Sequence, residues 1–217
     1  MRKSIIAILM TFCLSIMTYA QTPRDRATEL KEQAQSSLNQ KDYIKARYLF
    51  KKAYEAFATR ENYPQAIESG VQANALYVRE NFYKEGFELC RDMDQLIWAG
   101  EQNQKKVFYD LRFLVNKERL QMYTALKNPA QAKTQLNKLE ETANLAKNDS
   151  LTEVLLYTKA NYYYTFNQNT QGDACFRKLI NQYKEKKDYA KVSDCYKNLI
   201  GIARKANNAP LMERTYE

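Results

Sequence analysis

The chain has 217 residues, of which 34 are Lys or Arg and 25 are Asp or Glu, giving a formal net charge of +9. It contains no histidine, which excludes His-based acid–base catalysis, Ser–His and Cys–His nucleophile pairs and imidazole metal ligands. Its five glycines never cluster, which excludes a Gly-rich phosphate loop, and the scarcity of Gly and Pro favours helices over a β-barrel or β-sandwich.

The first twenty residues have the features of an export signal. Arg2 and Lys3 supply a positive start, residues 5–17 form an apolar run, and the tripeptide ending at Ala20 suits signal peptidase. The run is shorter than the ~20 residues that a membrane span needs, so a retained anchor is the weaker interpretation. We therefore expect cleavage near Ala20 and an exported, periplasmic or secreted, single domain over residues 21–217.

Helical periodicity and turn residues predict ten consecutive helices. Asp42 and Asn128 are typical N-caps, Pro64 and Pro129 are typical first-turn residues, and Gly100 is typical of a helix end. The predicted helices are 24–40, 43–59, 64–79, 82–99, 102–127, 130–147, 151–168, 171–186, 189–206 and 210 onward.

Two features bear on the central helices. Ser150 followed by Glu153 has the pattern of a capping box, which predicts a helix start at residue 151. The fifth helix, 102–127, is predicted to be longer than its counterparts because its apolar residues keep a helical period throughout.

A small or short residue recurs at the start of every second helix: Ala46, Gly86, Ala132, Gly172 and Met212. The intervals between these residue numbers are equal, except for the second, which is larger by six because of the longer fifth helix. The first four begin a repeated triplet: Ala46/Phe50/Ala53, Gly86/Cys90/Met93, Ala132/Leu136/Leu139 and Gly172/Phe176/Leu179. Such self-similarity predicts helical hairpins that bury their apolar faces by stacking on their neighbours.

This pattern resembles the tetratricopeptide repeat over residues 27–217. The first repeat matches at Leu30, Ala34, Ala46, Phe50 and Ala53, and later repeats match at Ala73, Tyr77, Leu156, Ala160 and Tyr163. The Trp and the Leu-Gly pair of the family pattern are missing, and the repeat is about six positions longer than the family's. The resemblance implies an all-α, right-handed superhelical solenoid of antiparallel helix pairs, with about five repeats.

In this family the first helices of the repeats line a concave groove that binds a protein or an extended peptide. The positions that tend to face the groove are here Lys117, Gln121, Thr124, Tyr157, Asn161, Tyr164, Lys197 and Arg204. Rings give rigid contact area and cations pair with carboxylates. The alternative for each aromatic residue is packing between helices, where most of the seventeen tyrosines are expected.

No catalytic residue, metal site or cofactor is predicted. The basic residues are interspersed with acidic ones at helical spacing, which is typical of a solvated helix surface and does not indicate a nucleic-acid partner. Of the cysteines beyond the leader, Cys90, Cys175 and Cys195, we expect buried free thiols, with a Cys175–Cys195 disulfide as the alternative.

The leader, the repeat spacing and the short last helix together resemble the exported sensor regions of Bacteroidetes-type regulators. In those proteins a periplasmic tetratricopeptide array precedes one transmembrane helix and a cytoplasmic histidine kinase or DNA-binding domain. We therefore expect a sequence truncated at its C-terminus, with membrane contact only through a missing C-terminal span. The alternative is a free-standing secreted or periplasmic adaptor, and an enzyme with a mechanism independent of histidine is a third, formal possibility.

Overall fold

The computed structural model of the chain describes residues 25–205 and Glu213. These residues form helices and no strand, so the all-α class is confirmed for them. The predicted export signal, the repeat residue Met212 and the final helix from residue 210 lie outside the described residues, apart from Glu213. The helices are α1 (Arg26–Asn39), α2 (Tyr43–Ala58), α3 (Tyr63–Arg79), α4 (Tyr83–Gln104), α5 (Tyr109–Ala125), α6 (Pro129–Ala146), α7 (Asp149–Thr165), α8 (Asn169–Glu185) and α9 (Tyr189–Lys205).

The helices fall into two compact units whose boundary lies between Leu76 and Tyr77. In the first unit α1 packs on α2, and Lys31 Nζ of α1 donates to Gln65 Oε1 of α3 at 2.8 Å. In the second unit each helix from α4 to α9 packs on the next one, and α5 also contacts α7. The single domain, the handedness and the tetratricopeptide assignment remain predictions.

Most joints between helices consist of one residue with positive φ followed by the cap of the next helix. Lys41 has φ 63°, and its N–H donates to Leu38 O at 3.0 Å while the Asp42 N–H donates to Ser37 O at 2.9 Å. These two bonds close α1 as a Schellman motif. The same pair of bonds occurs at Glu61, Asn81, Lys127, Asn167 and Lys187.

The residue after the positive φ then begins the following helix. Asp42 Oδ1 accepts from the Lys45 N–H at 3.2 Å, and Asn128 Oδ1 accepts from the Gln131 N–H at 3.1 Å. Both predicted N-caps are therefore confirmed. The capping box is wrong, because Asn148 caps α7 by accepting from the Ser150 N–H at 2.9 Å and the helix already begins at Asp149.

The six extra residues of the longer repeat interval lie elsewhere than predicted. α4 has 22 residues and α5 has 17 residues, so the long helix is the fourth and not the fifth. Gly100 is buried inside α4, and the helix ends at Gln104, followed by the C-cap Lys105 with φ 50°. The buried Glu101 carboxylate fixes this end, because it accepts from the Phe108 N–H at 2.8 Å and from Arg112 Nε at 2.7 Å.

The repeated triplets form the core of the hairpins, as predicted. Every member of the four triplets is buried, including the glycines that begin two of them. Around the last triplet the core continues through α7, α8 and α9, where Leu156, Ala160, Val192 and Leu199 pack on Phe176 and Leu179. Small residues at the start of each second helix thus allow close approach, and bulky residues one turn later fill the space between helices.

The positive φ at the joints predicts that substitution by glycine has opposite effects at two exposed lysines, one in a joint and one inside a helix. Lys41→Gly relieves a side chain held at positive φ, so we expect the free energy of unfolding to rise by about 0.5–1 kcal/mol. Lys51→Gly places glycine inside α2, where we expect a loss of about 1 kcal/mol. Urea unfolding followed by circular dichroism measures both, and a loss at Lys41 would contradict the role assigned to the joint.

Candidate functional site

The helices α5 and α7 form an open groove with a volume of about 440 Å³. Positions forty residues apart in the sequence both line it, as Lys117 and Tyr157 do, and likewise Gln121 and Asn161. This groove, called the α5–α7 groove below, is lined by Lys117, Leu120, Gln121, Thr124, Ala125, Lys127, Val154, Tyr157, Thr158, Asn161, Tyr162 and Thr165.

The structure brings five of the eight predicted groove residues together in this one place: Lys117, Gln121, Thr124, Tyr157 and Asn161. The other three lie elsewhere. Lys197 is exposed on α9, where its Nζ pairs with Asp194 of the same helix at 3.0 Å. Arg204 is exposed near the end of α9, so neither cation contributes to the α5–α7 groove.

Tyr164 is buried between α7 and α8 instead of facing the groove. Its hydroxyl donates to Asp173 Oδ1, and its ring lies 6.1 Å from that of Phe176, measured between centroids. A Cβ built on Gly172 would come within 2.7 Å of the ring, so the absence of a side chain there makes room for it. Packing between helices, the alternative considered for each aromatic residue, is the placement found for Tyr164.

Tyr157 has both of the roles considered in the sequence analysis, because it packs between helices and also lines the groove. Its ring meets that of Phe176 edge-on at 5.8 Å between centroids, and it also lines the groove. The tyrosine is partly buried, so one face of it is held by the core. An aromatic residue anchored in this way presents a rigid surface to a ligand.

Seven lining residues were missed by the sequence analysis: Leu120, Ala125, Lys127, Val154, Thr158, Tyr162 and Thr165. Most follow from the predicted ones by helical spacing, since Leu120 lies three residues after Lys117 and Thr165 lies four residues after Asn161. Side chains three and four residues apart share a helix face, so extending the predicted set along this spacing would have found them. Lys127 lies in the joint after α5, which this spacing does not reach.

Three polar side chains of α7 in the groove lining donate to carbonyl oxygens of their own helix. Thr158 Oγ1 donates to Val154 O at 2.7 Å, and Thr165 Oγ1 donates to Asn161 O at 2.8 Å. Asn161 Nδ2 donates to Tyr157 O at 3.1 Å. A hydroxyl carries one proton and two lone pairs, so these threonines are left with acceptor capacity towards the groove.

Lys117 and Lys127 are the charged residues of the groove lining, which includes no Asp or Glu among the described residues. Lys127 is exposed, in the joint that follows α5. Lys117 Nζ lies 3.7 Å from Glu118 Oε1, but the Glu118 side chain is only 2% exposed. The formal charge on the lining side chains is therefore positive, and the Glu118 carboxylate beside Lys117 offsets part of it.

A second concavity, of about 390 Å³, is lined by α4, α5 and α6. Its charged groups hold the helices together: Arg119 donates to Cys90 O at 2.9 Å and to Asp94 Oδ2 at 2.6 Å. Trp98 and Leu145 at its edge are 64% and 51% exposed. Because its arginines are engaged within the protein, the α5–α7 groove is the stronger candidate site.

The three cysteines among the described residues, Cys90, Cys175 and Cys195, are unpaired and buried, which confirms the expected free thiols. Burial raises the pKa of the Cys90 thiol to about 12. It also raises the pKa of Cys175 and of Cys195. Because the thiolate is the reactive form, all three suit a structural role better than that of a nucleophile.

Two further features of the described residues concern metals and membranes. No group of three Cys, Asp or Glu side chains among them is close enough to hold a metal ion. None of the helices in residues 25–205 has both the length and the apolar character needed to cross a bilayer.

A scan against protein-family models and a search of the curated proteins gave no match to the chain.

Outside the groove lining, Glu153 ties three helices together. Its carboxylate accepts from Tyr183 Oη at 3.2 Å, from Lys186 Nζ at 2.7 Å and from Lys191 Nζ at 3.2 Å. The hydrogen bond from Lys186 is the largest cause that lowers the pKa of Glu153. Burial, with Glu153 as the next cause, raises the pKa of Tyr183 to about 12. These residues fix α7 relative to α8 and α9.

The lowered pKa of Glu153 predicts acid sensitivity. Its contribution to stability is present above the ordinary pKa of 4.5 and is lost as the pH falls through the lower value of the folded state. Both lysines are more than half exposed, so we expect Glu153→Gln to cost about 1 kcal/mol at pH 7. This cost should disappear in strong acid.

Urea unfolding across a pH series measures the cost of Glu153→Gln. The matched control is Asp194→Asn, which breaks an exposed pair within one helix and should cost at most about 0.5 kcal/mol. A difference between wild type and Glu153→Gln that is the same at neutral and strongly acidic pH would contradict the linkage.

The surroundings of Gly172 and Gly201 predict that substitution by alanine changes the stability in opposite directions at these two positions. At Gly172 the new methyl group would collide with a Tyr164 ring held by Phe176 and Asp173, so we expect a loss of about 1–2 kcal/mol. At Gly201, inside α9, nothing lies within 4 Å, and better helix propensity should add up to about 1 kcal/mol. Melting temperatures measure both, and an unchanged value for Gly172→Ala would contradict the packing described for Tyr164.

Proposed function

We propose that the chain is an exported, tetratricopeptide-like scaffold that binds a protein or peptide through the α5–α7 groove. The observation that carries the proposal is the gathering of Lys117, Gln121, Thr124, Tyr157 and Asn161, chosen from sequence as groove residues, in one open groove. A groove with an anchored ring, amides and cations offers both contact area and hydrogen bonds to an extended chain. The regular spacing of equivalent positions along the sequence supports the resemblance.

Binding fits this chain better than catalysis does. It has no histidine, and its thiols beyond the leader are buried with raised pKa values. The groove lining contains no carboxylate among the described residues that could act as a general acid or base.

Within this proposal the chain is the periplasmic sensory part of a membrane-spanning regulator. Contacts between neighbouring helices dominate the second unit, so a ligand that bridges α5 and α7 would change their spacing and shift the helices that follow. The alternative is a free-standing adaptor that scaffolds other envelope proteins. The coding DNA beyond codon 217 distinguishes the two, because a sensor requires an apolar stretch of ~20 residues with basic flanks.

Groove binding is tested by selecting ligands from a displayed library of random peptides and labelling the best of them. Gln121 is exposed on the α5 wall, so Gln121→Trp should fill the groove without disturbing the core. We expect it to weaken peptide binding about tenfold or more, measured by fluorescence anisotropy.

The matched control is Gln131→Trp, which places the same ring on the exposed surface of α6, at a position that does not line the groove. We expect its affinity for the selected peptide to equal that of wild type. If the wild type selects no peptide, or if the two tryptophan variants bind it equally well, the α5–α7 groove is not the binding site.

A further inference from the structure

The second concavity, lined by α4, α5 and α6, has an exposed apolar edge and two charges on α6 that are not paired within the described chain. We infer that this face binds a second copy of the chain, with the two α6 helices packed antiparallel across a two-fold axis. The inference is independent of the proposed function, because the linings of this concavity and of the α5–α7 groove share no residue.

Trp98 and Leu145 are the large apolar side chains of this lining that are exposed. Trp98, the single tryptophan of the chain, is 64% exposed on α4, and Leu145 is 51% exposed on α6. Tryptophan is enriched among the residues that carry the binding energy of protein interfaces. Covering the two side chains would remove apolar surface from water, which favours association.

The charged residues of this lining differ in whether they have an ion pair. Asp94, Arg112 and Arg119 belong to pairs between α4 and α5. Lys138 and Glu141 are exposed one turn apart on α6, and neither forms an ion pair with a described residue. A cation and an anion are therefore available beside the apolar edge.

The exposed stripe on α6 that contains these two charges is its own complement when its direction is reversed. It consists of residues at intervals of four, three and four: Thr134, Lys138, Glu141 and Leu145. This spacing places them along one face of the helix. When two such helices lie antiparallel about an axis midway between Lys138 and Glu141, each lysine opposes the glutamate of the other copy. A parallel arrangement in register would oppose like charges, which disfavours it.

The same axis brings Thr134 of each copy to Leu145 of the other. Thr134 Oγ1 already donates to Ala130 O at 3.1 Å, so the leucine would cover no unbonded hydroxyl proton. Because Trp98 lines the concavity from α4, a helix seated there would also shield its ring. Both members of a two-fold pair use the same patch, so a self-complementary stripe favours a second copy over an unrelated partner.

The first test is the concentration dependence of the mass, measured by sedimentation equilibrium on the purified chain expressed with its own leader. The face is small, so we expect a dimer with a dissociation constant in the micromolar range. Because the chain has a single tryptophan, its emission should move to shorter wavelength as the dimer forms. A wild type that stays monomeric, or that dimerises without this change in emission, would overturn the inference.

Charge reversal identifies the pairing. Lys138→Glu makes the stripe acidic and Glu141→Lys makes it basic, so each variant alone should dimerise at least about tenfold more weakly than wild type. An equimolar mixture of the two should recover dimerisation, because an acidic stripe then meets a basic one. The matched control is Lys133→Glu, which makes the same charge change at an exposed position of α6 outside the lining and should dimerise like wild type.

Two truncations test the apolar edge. Trp98→Ala removes the largest exposed side chain of the face and should weaken dimerisation about tenfold or more. Tyr189→Ala removes a ring that is 67% exposed on α9 and should have no effect. Equal effects of the two truncations would overturn the assignment of this face.

The outcomes separate this inference from the proposed function. If Lys138→Glu and Glu141→Lys associate with each other no better than each does with itself, any dimer uses another face and the inference is overturned. Gln121→Trp in the α5–α7 groove should leave dimerisation unchanged. Failure to select a peptide, while the mixed variants still dimerise, would contradict the proposed function alone.

Discussion

The joints between helices depend on a residue held at positive φ, directly before the cap of the next helix. At Lys127, Asn167 and Lys187 this residue recurs with the same pair of backbone bonds, and the positive-φ residues from Lys127 to Lys187 are evenly spaced along the chain. The helices have nearly constant length and the joints between them are alike. Equivalent residues therefore return to the same face of the helix array once in every hairpin. This is why Lys117 and Tyr157 both line one groove, although they belong to different hairpins.

The sequence predicted the helices and their core well because both depend on local patterns. Triplets such as Ala46/Phe50/Ala53 repeat the same volumes at the same spacing, and all of them are buried. Gly100 was misread because glycine often ends a helix. In this chain no described glycine has positive φ, and lysine, asparagine or glutamate takes that position instead. The usable signal was therefore the recurring cap, as in Lys127-Asn128 and Lys187-Asp188.

The sequence predicted the residues of the site only to the extent that the face of a single helix determines which side chains line the groove. Tyr157 and Tyr164 are two turns apart and share a face of α7, yet one lines the groove and the other is buried. Gly172 and Asp173 decide the difference, since they give the Tyr164 ring its space and its hydroxyl its acceptor. Both residues belong to α8, so no analysis of α7 alone could have separated the two tyrosines.

The positive character of the groove lining is related to where the acidic residues form ion pairs. Asp94 and Glu101 pair with arginines between α4 and α5, and Glu140 pairs with Lys159 between α6 and α7 at 2.6 Å. Acids placed between helices fix their spacing and are engaged there by basic side chains. In a chain with more basic than acidic residues, that use leaves a groove in which Lys117 and Lys127 face solvent without an exposed acid among the lining residues. The ion pairs that hold the helices together thus engage acidic residues away from the groove, whose lining contains lysines and no carboxylate among the described residues.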